Sequence, residues 1–111
     1  MAIPWLIAGG IALFAVAALW DEIVDWLKDM WQIVKRTFSR VIHATAAFVQ
    51  KVKSAISKIM HRVYYKEDNH WIEETTTRQI PENELPDRIR RKLRTSETEV
   101  TEDLEAMGLE V

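Results

Sequence analysis

The chain has 111 residues, of which 48% are hydrophobic, and a formal net charge of −2. This length provides one domain at most, and the absence of cysteine excludes disulfides, thiolate zinc sites and cysteine nucleophiles. The charges are sorted into blocks: residues 1–20 carry none, residues 30–66 contain bases but no acids, and the tail from Glu67 is acidic. Such blocks predict different environments for different parts of the chain.

The first predicted element is an apolar helix. Residues 3–20 read IPWLIAGGIALFAVAALW, without a charged side chain. At 1.5 Å per residue such a helix spans roughly 27 Å, close to the ~30 Å hydrocarbon thickness of a bilayer. Tryptophans suit the two lipid–water boundaries, and alanines at four-three spacing form a seam for another helix. We therefore predict a membrane anchor over residues 1–20, carried by Trp5, Ala8, Ala12, Ala15 and Trp20.

The flanking charges predict the orientation of this anchor. Lysine and arginine follow the segment and none precedes it, so the positive-inside tendency predicts a single-pass membrane protein with a cytoplasmic C-terminus. Three other interpretations stay open: a cleaved signal peptide, suggested by Ala15-Val16-Ala17, a helix buried within a soluble oligomer, and a helix lying in the membrane interface.

The second predicted element is a long amphipathic helix over residues 21–62. Apolar residues recur from Trp20 to Ile59 with alternating steps of four and three, and neither glycine nor proline occurs between residues 11 and 80. This heptad-like pattern favours a coiled-coil-like contact between helices. The predicted helix–helix interface consists of Val24, Leu27, Trp31, Val34, Phe38, Val41, Phe48, Val52 and Ile59.

The opposite face of this predicted helix is basic. It favours contact with lipid head groups or with an acidic partner, through Lys35, Arg36, Arg40, Lys51, Lys58 and Arg62. Burial of the apolar stripe requires a homo-oligomer, a lipid surface or a different protein, and the regular spacing favours the homo-oligomer. Nucleic acid is not predicted as a partner, because no recognition fold is visible and the tail is acidic.

Residues 63–111 are predicted to form a small acidic tail. Strand-forming residues on both sides of Glu67-Asp68-Asn69 predict a β-hairpin whose second strand ends before Pro81. A short helix is predicted to begin near residues 83–87, and a last one over residues 102–107, closed by Gly108. The tail's acids are expected to meet a protein partner or the basic residues of the same or another copy.

No residue pattern predicts catalysis, a metal site or a cofactor. His43 and His61 would lie five turns apart on the predicted helix, and His70 stands in the hairpin. The chain has neither a glycine-rich phosphate loop nor a Ser–His–acid order. We therefore predict that the protein is not an enzyme.

The elements together predict a mainly α fold: a transmembrane-like helix that continues into the long amphipathic helix, then a small hairpin with short helices. The predicted function is a non-enzymatic, membrane-anchored protein that self-assembles through its long helix, as a scaffold, an assembly factor or an oligomeric pore-former. The alternative is a soluble or virion-type structural subunit whose apolar N-terminal helix is buried between copies.

Overall fold

A single helix and an antiparallel sheet make up most of the architecture. The structure, a computed structural model, describes residues 19–111. In chain order these form α1 (Trp20–Thr37), β1 (His43–Lys53), β2 (Ile56–Glu67), β3 (His70–Pro81), a 3₁₀ turn (Glu82–Glu84), α2 (Asp87–Arg90), β4 (Thr98–Glu99) and α3 (Thr101–Ala106). All strand pairs are antiparallel, in the order β3-β2-β1-β4. The fold is therefore α+β.

Helix α1 forms because its apolar residues share one face and its charges match the helix dipole. Asp21 and Glu22 lie in the first turn and Lys35 and Arg36 in the last. The buried residues follow a spacing of four, three and four along the helix, namely Ile23, Leu27, Met30 and Val34. The helix ends at Thr37, where the Phe38 N–H still donates to the Val34 carbonyl over 2.9 Å.

The core lies between α1 and one face of the sheet, called here the inner face. The first half of α1 packs with Val49 and Ile59 of the sheet and with residues of the C-terminal segment, including Leu104. The second half packs with Val63 and Tyr65 of β2. Burying each large aliphatic side chain stabilises the folded state by about 1.5–3 kcal/mol. The contacts between α1 and β2 are therefore a main source of stability.

Two tight turns connect the three long strands. Asp68 and Asn69 both have positive φ, 49° and 64°, as a two-residue turn between twisted strands requires. The β1–β2 turn instead places Ala55 at a φ of 64°, next to a register shift between Lys51 and Lys53. Alanine is a rare residue in that left-handed region, so this turn lacks the usual sequence signal.

The predicted mainly α fold is wrong, because the helix stops at Thr37 and does not continue to residue 62. Residues 43–53 and 56–67 form strands paired along their length, which also excludes the predicted coiled coil. The boundary drawn between residues 62 and 63 falls inside the central strand β2. The predicted hairpin site does hold a hairpin, with Glu67 and His70 as Cα partners.

The predicted membrane topology is corrected as well. Within residues 19–111 no helix combines the length and apolar content needed to cross a bilayer, which contradicts a single-pass protein with a cytoplasmic C-terminus. Trp20, the expected end of the anchor, instead begins α1 and packs against the core. The other anchor residues, Trp5, Ala8, Ala12 and Ala15, lie outside the described residues.

Two residues from the same predicted helical stripe provide a direct test of this fold. Ile59 is fully buried on β2, whereas Val52 is 40% exposed on β1. We expect Ile59→Ala to lower the free energy of unfolding by about 2–5 kcal/mol and Val52→Ala by less than about 0.5 kcal/mol. Urea denaturation of both variants measures the difference. Equal losses at the two positions would contradict the sheet.

Candidate assembly surface

The two edges of the sheet differ in how their backbone groups are satisfied. Beyond β1, the Ala47 carbonyl accepts from the Val100 N–H over 2.9 Å, and the Lys51 N–H donates to the Arg94 carbonyl over 2.7 Å. The Ala47 N–H donates to the Thr101 hydroxyl over 3.0 Å. The C-terminal segment therefore closes the β1 edge. At the other edge, no strand within residues 19–111 pairs with the outer side of β3.

The hydrogen-bond pattern identifies which groups of β3 face outward. In an antiparallel ladder the backbone groups of successive residues point to alternate sides. The Lys66 N–H donates to the Ile42 carbonyl over 3.2 Å, so even-numbered residues of β2 face β1 and odd-numbered ones face β3. Their partners on β3 are even-numbered, as in the pair His61 and Thr76. The outward-facing residues of β3 are therefore the odd ones: Trp71, Glu73, Thr75, Thr77 and Gln79.

Among the described residues the outer backbone groups of strand β3 have no strand partner, although Thr75 and Thr77 are buried and Glu73, Glu74 and Arg78 give the edge some of the usual protection by charge. Strand β3 pairs with β2 from His70 to Pro81 without a bulge, and its only proline is at its last position. Exposed edges of this length are templates for a further strand. Its charges are arranged by position, with Glu73 and Glu74 in the first half and Arg78 in the second. This edge is the candidate functional site, here called the β3 edge.

Arg62 stiffens the sheet beside the β3 edge, on the outer face that points away from α1. Its guanidinium lies 4.5 Å from the centre of the Phe48 ring, and its Nε donates to the Thr75 hydroxyl over 2.9 Å. Nη1 and Nη2 each donate to Glu97 over 3.0 Å, and Glu73 lies 3.2 Å from Nε. One side chain thus connects β1, β2, β3 and the C-terminal segment.

These contacts also shift the pKa values of Arg62 and Glu97. The hydrogen bonds with Glu97 raise the pKa of Arg62, and the same bonds lower the pKa of Glu97. The bidentate geometry makes this pair more specific than a single exposed contact. Arg62 therefore links β2 with β3 through Thr75 and Glu73 and with the C-terminal segment through Glu97.

A second ion-pair group fastens the C-terminal segment that closes the β1 edge. Asp103 of α3 is 4% exposed and accepts from Arg88 over 2.9 Å, with Lys92 Nζ at 2.7 Å. Lys92 and then Arg88 lower the pKa of Asp103. Leu104, next to Asp103, is fully buried in the core. The closed edge is therefore held by both charge and apolar packing.

His61 is the unusual polar group of the interior. It is fully buried on β2 beneath α1, and neither ring nitrogen has a hydrogen-bond partner. The hydroxyl of Thr76, its cross-strand partner on β3, is also buried and unpaired. Removal from water lowers the pKa of His61 to about 4 from an ordinary value of 6.5. The imidazole is thus neutral at pH 7 and acts as part of the core.

The described residues were searched for metal-binding and histidine-based sites. Across residues 19–111 no group of three or more histidine and acidic side chains is arranged to hold a metal ion. The histidines are dispersed: His43 Nδ1 lies 2.8 Å from the Val41 carbonyl, His61 is buried, and His70 is exposed in the β2–β3 turn. The prediction that the protein is not an enzyme is not tested by these observations and stays a prediction.

The residues predicted to form a helix–helix interface separate into different surroundings. Four of those on α1 and at its end pack inside the core or at its border, namely Val24, Leu27, Val34 and Phe38, and Trp31 of α1 is half-buried. Val41 is exposed in the α1–β1 loop, Phe48 lies on the outer face below Arg62, Val52 is exposed, and Ile59 is buried. No single helical surface brings these residues together.

The predicted basic face is dispersed too. Lys35 and Arg36 end α1, Arg40 follows in the loop, and Arg62 is engaged with acids at the centre of the sheet. Lys51, whose Nζ lies 3.5 Å from Glu82, and Lys58 are near the β1–β2 turn, at the other end of the strands from Arg40. Contact with lipid or an acidic partner through all six residues at once is therefore not supported by their placement.

The sequence reasoning missed the β3 edge as a site. Strand β3 itself could be predicted from the sequence, because β-branched residues follow the Asp68-Asn69 turn. Which edge stays open, however, depends on strand order and on the C-terminal segment that closes β1, and neither is a local property of the sequence.

Comparison of the chain with protein-family models, curated proteins and solved structures finds no match.

The buried histidine predicts a pH dependence of stability. Below pH 6.5 the unfolded chain binds a proton at His61 that the folded protein refuses until about pH 4. Stability should therefore fall by up to about 3 kcal/mol as the pH drops through this window. Thermal melting between pH 4.5 and 7 measures it, and His61→Leu should flatten the dependence.

The control for this prediction is His70→Gln, which changes an exposed histidine and should leave the dependence intact. The window stops at pH 4.5 because Asp103 and Glu97, whose pKa values are lowered in the folded state, lose stabilising charge in more acidic solution. An unchanged dependence in His61→Leu would contradict the assignment to this residue.

Proposed function

We propose that this chain is a non-enzymatic structural subunit that assembles with copies of itself through the β3 edge. The observation that carries the proposal is the contrast between the two sheet edges: β1 is closed by the chain's own C-terminal segment, and β3 is open among the described residues. A long strand with outward backbone groups binds another strand through main-chain hydrogen bonds. Self-assembly was also predicted from the sequence, but through a helix.

The charge distribution on β3 favours a second copy in antiparallel orientation. A two-fold axis beside Thr76 would place Glu74, which is buried and hydrogen-bonded with Tyr65, opposite Arg78 of a second copy, whose guanidinium lies 5.7 Å from the centre of its own Trp26 ring. A parallel arrangement in register would instead place like charges next to one another, which is unfavourable. The chain's own sequence thus makes the antiparallel pair complementary.

This register also fits the outward backbone groups. Thr75 would pair with Thr77 of the second copy and Glu73 with Gln79, so that odd-numbered residues face odd-numbered ones. Each such pair exchanges two hydrogen bonds, which gives about eight across the junction. Two sheets would then continue as one, with Arg62 linked to Thr75 and Glu73 of each β3 beside the junction.

Proline at an outward-facing position tests the proposal. Gln79→Pro removes an N–H that points away from β2, so the fold should survive while strand addition is blocked. Gln79→Ala is the matched control, since it removes the same side chain and keeps the N–H. In 0.5 M salt, which screens contacts between exposed charges, we expect sedimentation velocity to show dimers for the unchanged protein and Gln79→Ala, and monomers for Gln79→Pro. A monomeric unchanged protein, or a Gln79→Pro protein that still assembles, would overturn the proposal.

A pair of cysteines tests the register, because the chain has no cysteine of its own. A variant with both Glu73→Cys and Gln79→Cys would place thiols opposite one another in two symmetric pairs of the proposed junction, at a Cα separation of about 5.5 Å where a disulfide can form. Mild oxidation should give a covalent dimer, resolved by non-reducing electrophoresis. Ser54→Cys, at the exposed β1–β2 turn, is the control and should remain mainly monomeric on the same gel.

A further inference from the structure

An exposed apolar patch lies at the β2–β3 turn end of the outer face, away from the centre of the β3 edge. Ile42, directly before β1, lies in one row with Lys66 of β2 and Trp71 of β3. Ile42 is 67% exposed and Trp71 is 60% exposed. Arg40 lies beside Ile42 in a cleft that also contains Lys66 and Asp68. These four residues, Arg40, Ile42, Lys66 and Trp71, are called the tip patch.

The tip patch has the composition of a protein contact rather than of an ordinary surface. Tryptophan and arginine are enriched where binding energy is concentrated, and large exposed apolar side chains grouped together indicate a binding site. Within the described part of the chain, no ion pair engages Arg40 or Lys66. The patch therefore combines two cations that form no ion pair within residues 19–111 with two exposed apolar side chains, Ile42 and Trp71, on either side of Lys66.

A surface of opposite charge lies on α3 and the residues after it. Glu102, Glu105 and Glu110 are exposed, and the exposed fraction of Met107 is 37%. None of these three acids forms an ion pair within residues 19–111. The buried side of the same segment holds Leu104 and Leu109 in the core, so its outward side has a fixed orientation. These residues, Glu102, Glu105, Met107 and Glu110, are called the acidic face.

We propose that the tip patch of one copy binds the acidic face of another. The two surfaces carry opposite charges, and each presents exposed apolar side chains beside its charges. The Met107 thioether is suited to contact the Trp71 indole, because sulfur packs favourably against aromatic rings. The cleft beside Ile42 is open to solvent, so the acids of another chain can reach Arg40 and Lys66 there. The opposite charges of the two surfaces make a second copy of this chain the proposed occupant.

The proposed contact is head-to-tail, because it joins two different surfaces. The β3 edge lies at one side of the sheet, while α3 lies beside β1 at the other, where the Thr101 hydroxyl accepts from the Ala47 N–H. The tip patch shares only Trp71 with the β3 edge, at the end of the proposed junction where it would lie opposite Pro81 of the second copy, so the two contacts can form in the same assembly. A two-fold β3 contact combined with a head-to-tail contact produces assemblies larger than a dimer. This inference rests on the proposed function and extends it from a pair to a larger particle.

Variants outside β3 test the inference by sedimentation velocity. The unchanged protein should form species larger than a dimer, and Ile42→Asp should reduce these to dimers. Val52→Asp is the matched control: it introduces the same charge at another exposed apolar residue near the opposite end of β1, and it should still form large species. Thermal melting confirms that both variants are folded.

A charge exchange tests the pairing itself. Lys66→Glu and Glu105→Lys should each stop assembly at the dimer, and the protein with both changes should again form large species. Raising the salt to 0.5 M should dissolve large species into dimers, because exposed charges are then screened, while the backbone contact at β3 persists.

The outcomes separate this inference from the proposed function. An unchanged protein that stops at dimers, an Ile42→Asp protein that still forms large species, or a double variant that stays dimeric would each overturn the tip patch contact and leave the β3 contact standing. An unchanged protein that is only monomeric would overturn both.

Discussion

The hydrogen-bonding capacity of an open sheet is the constraint on which the rest of this structure depends. An antiparallel sheet always has two edges, and each edge strand has backbone groups that require a partner. Here the chain uses its last twenty or so residues on one edge only: Arg94, Val100 and Thr101 contact β1, and buried Leu104 and paired Asp103 hold that segment in place. Within residues 19–111 no strand pairs with the outer side of β3, and the proposed assembly follows from this asymmetry.

The two faces of the sheet have different roles in the structure. The inner face is covered by α1 and provides most of the core, with His61 as a neutral, dehydrated member. The outer face instead carries Arg62, whose contacts with Phe48, Thr75 and Glu97 connect the sheet with the segment that closes β1. A rigid edge strand costs less entropy to pair than a mobile one, so these contacts favour assembly.

The sequence predicted part of this fold for sound physical reasons. Residues 20–37 are a helix, and the Asp68-Asn69 turn lies in a hairpin, because dipole-matched charges and turn chemistry are local. The prediction failed over residues 43–62, since buried residues occur on both faces of β1 and β2. Ala46 and Met60 on the outer face and Ala47 and Ile59 on the inner face together imitate a helical period. The turn that would have revealed these strands contains Ala55 in place of glycine or asparagine.

Residue-resolved amide hydrogen exchange over a range of protein concentrations tests the central claim most directly. In dilute solution the N–H groups of Trp71, Glu73 and Gln79, which belong to exposed or half-buried residues, should exchange quickly, while those of Glu74, Thr76 and Arg78, paired with β2, exchange slowly. We predict that the outward-facing, odd-numbered amides of β3 become protected as the concentration rises and the protein assembles. Odd-numbered amides that keep exchanging quickly in an assembled protein would contradict the β3 contact.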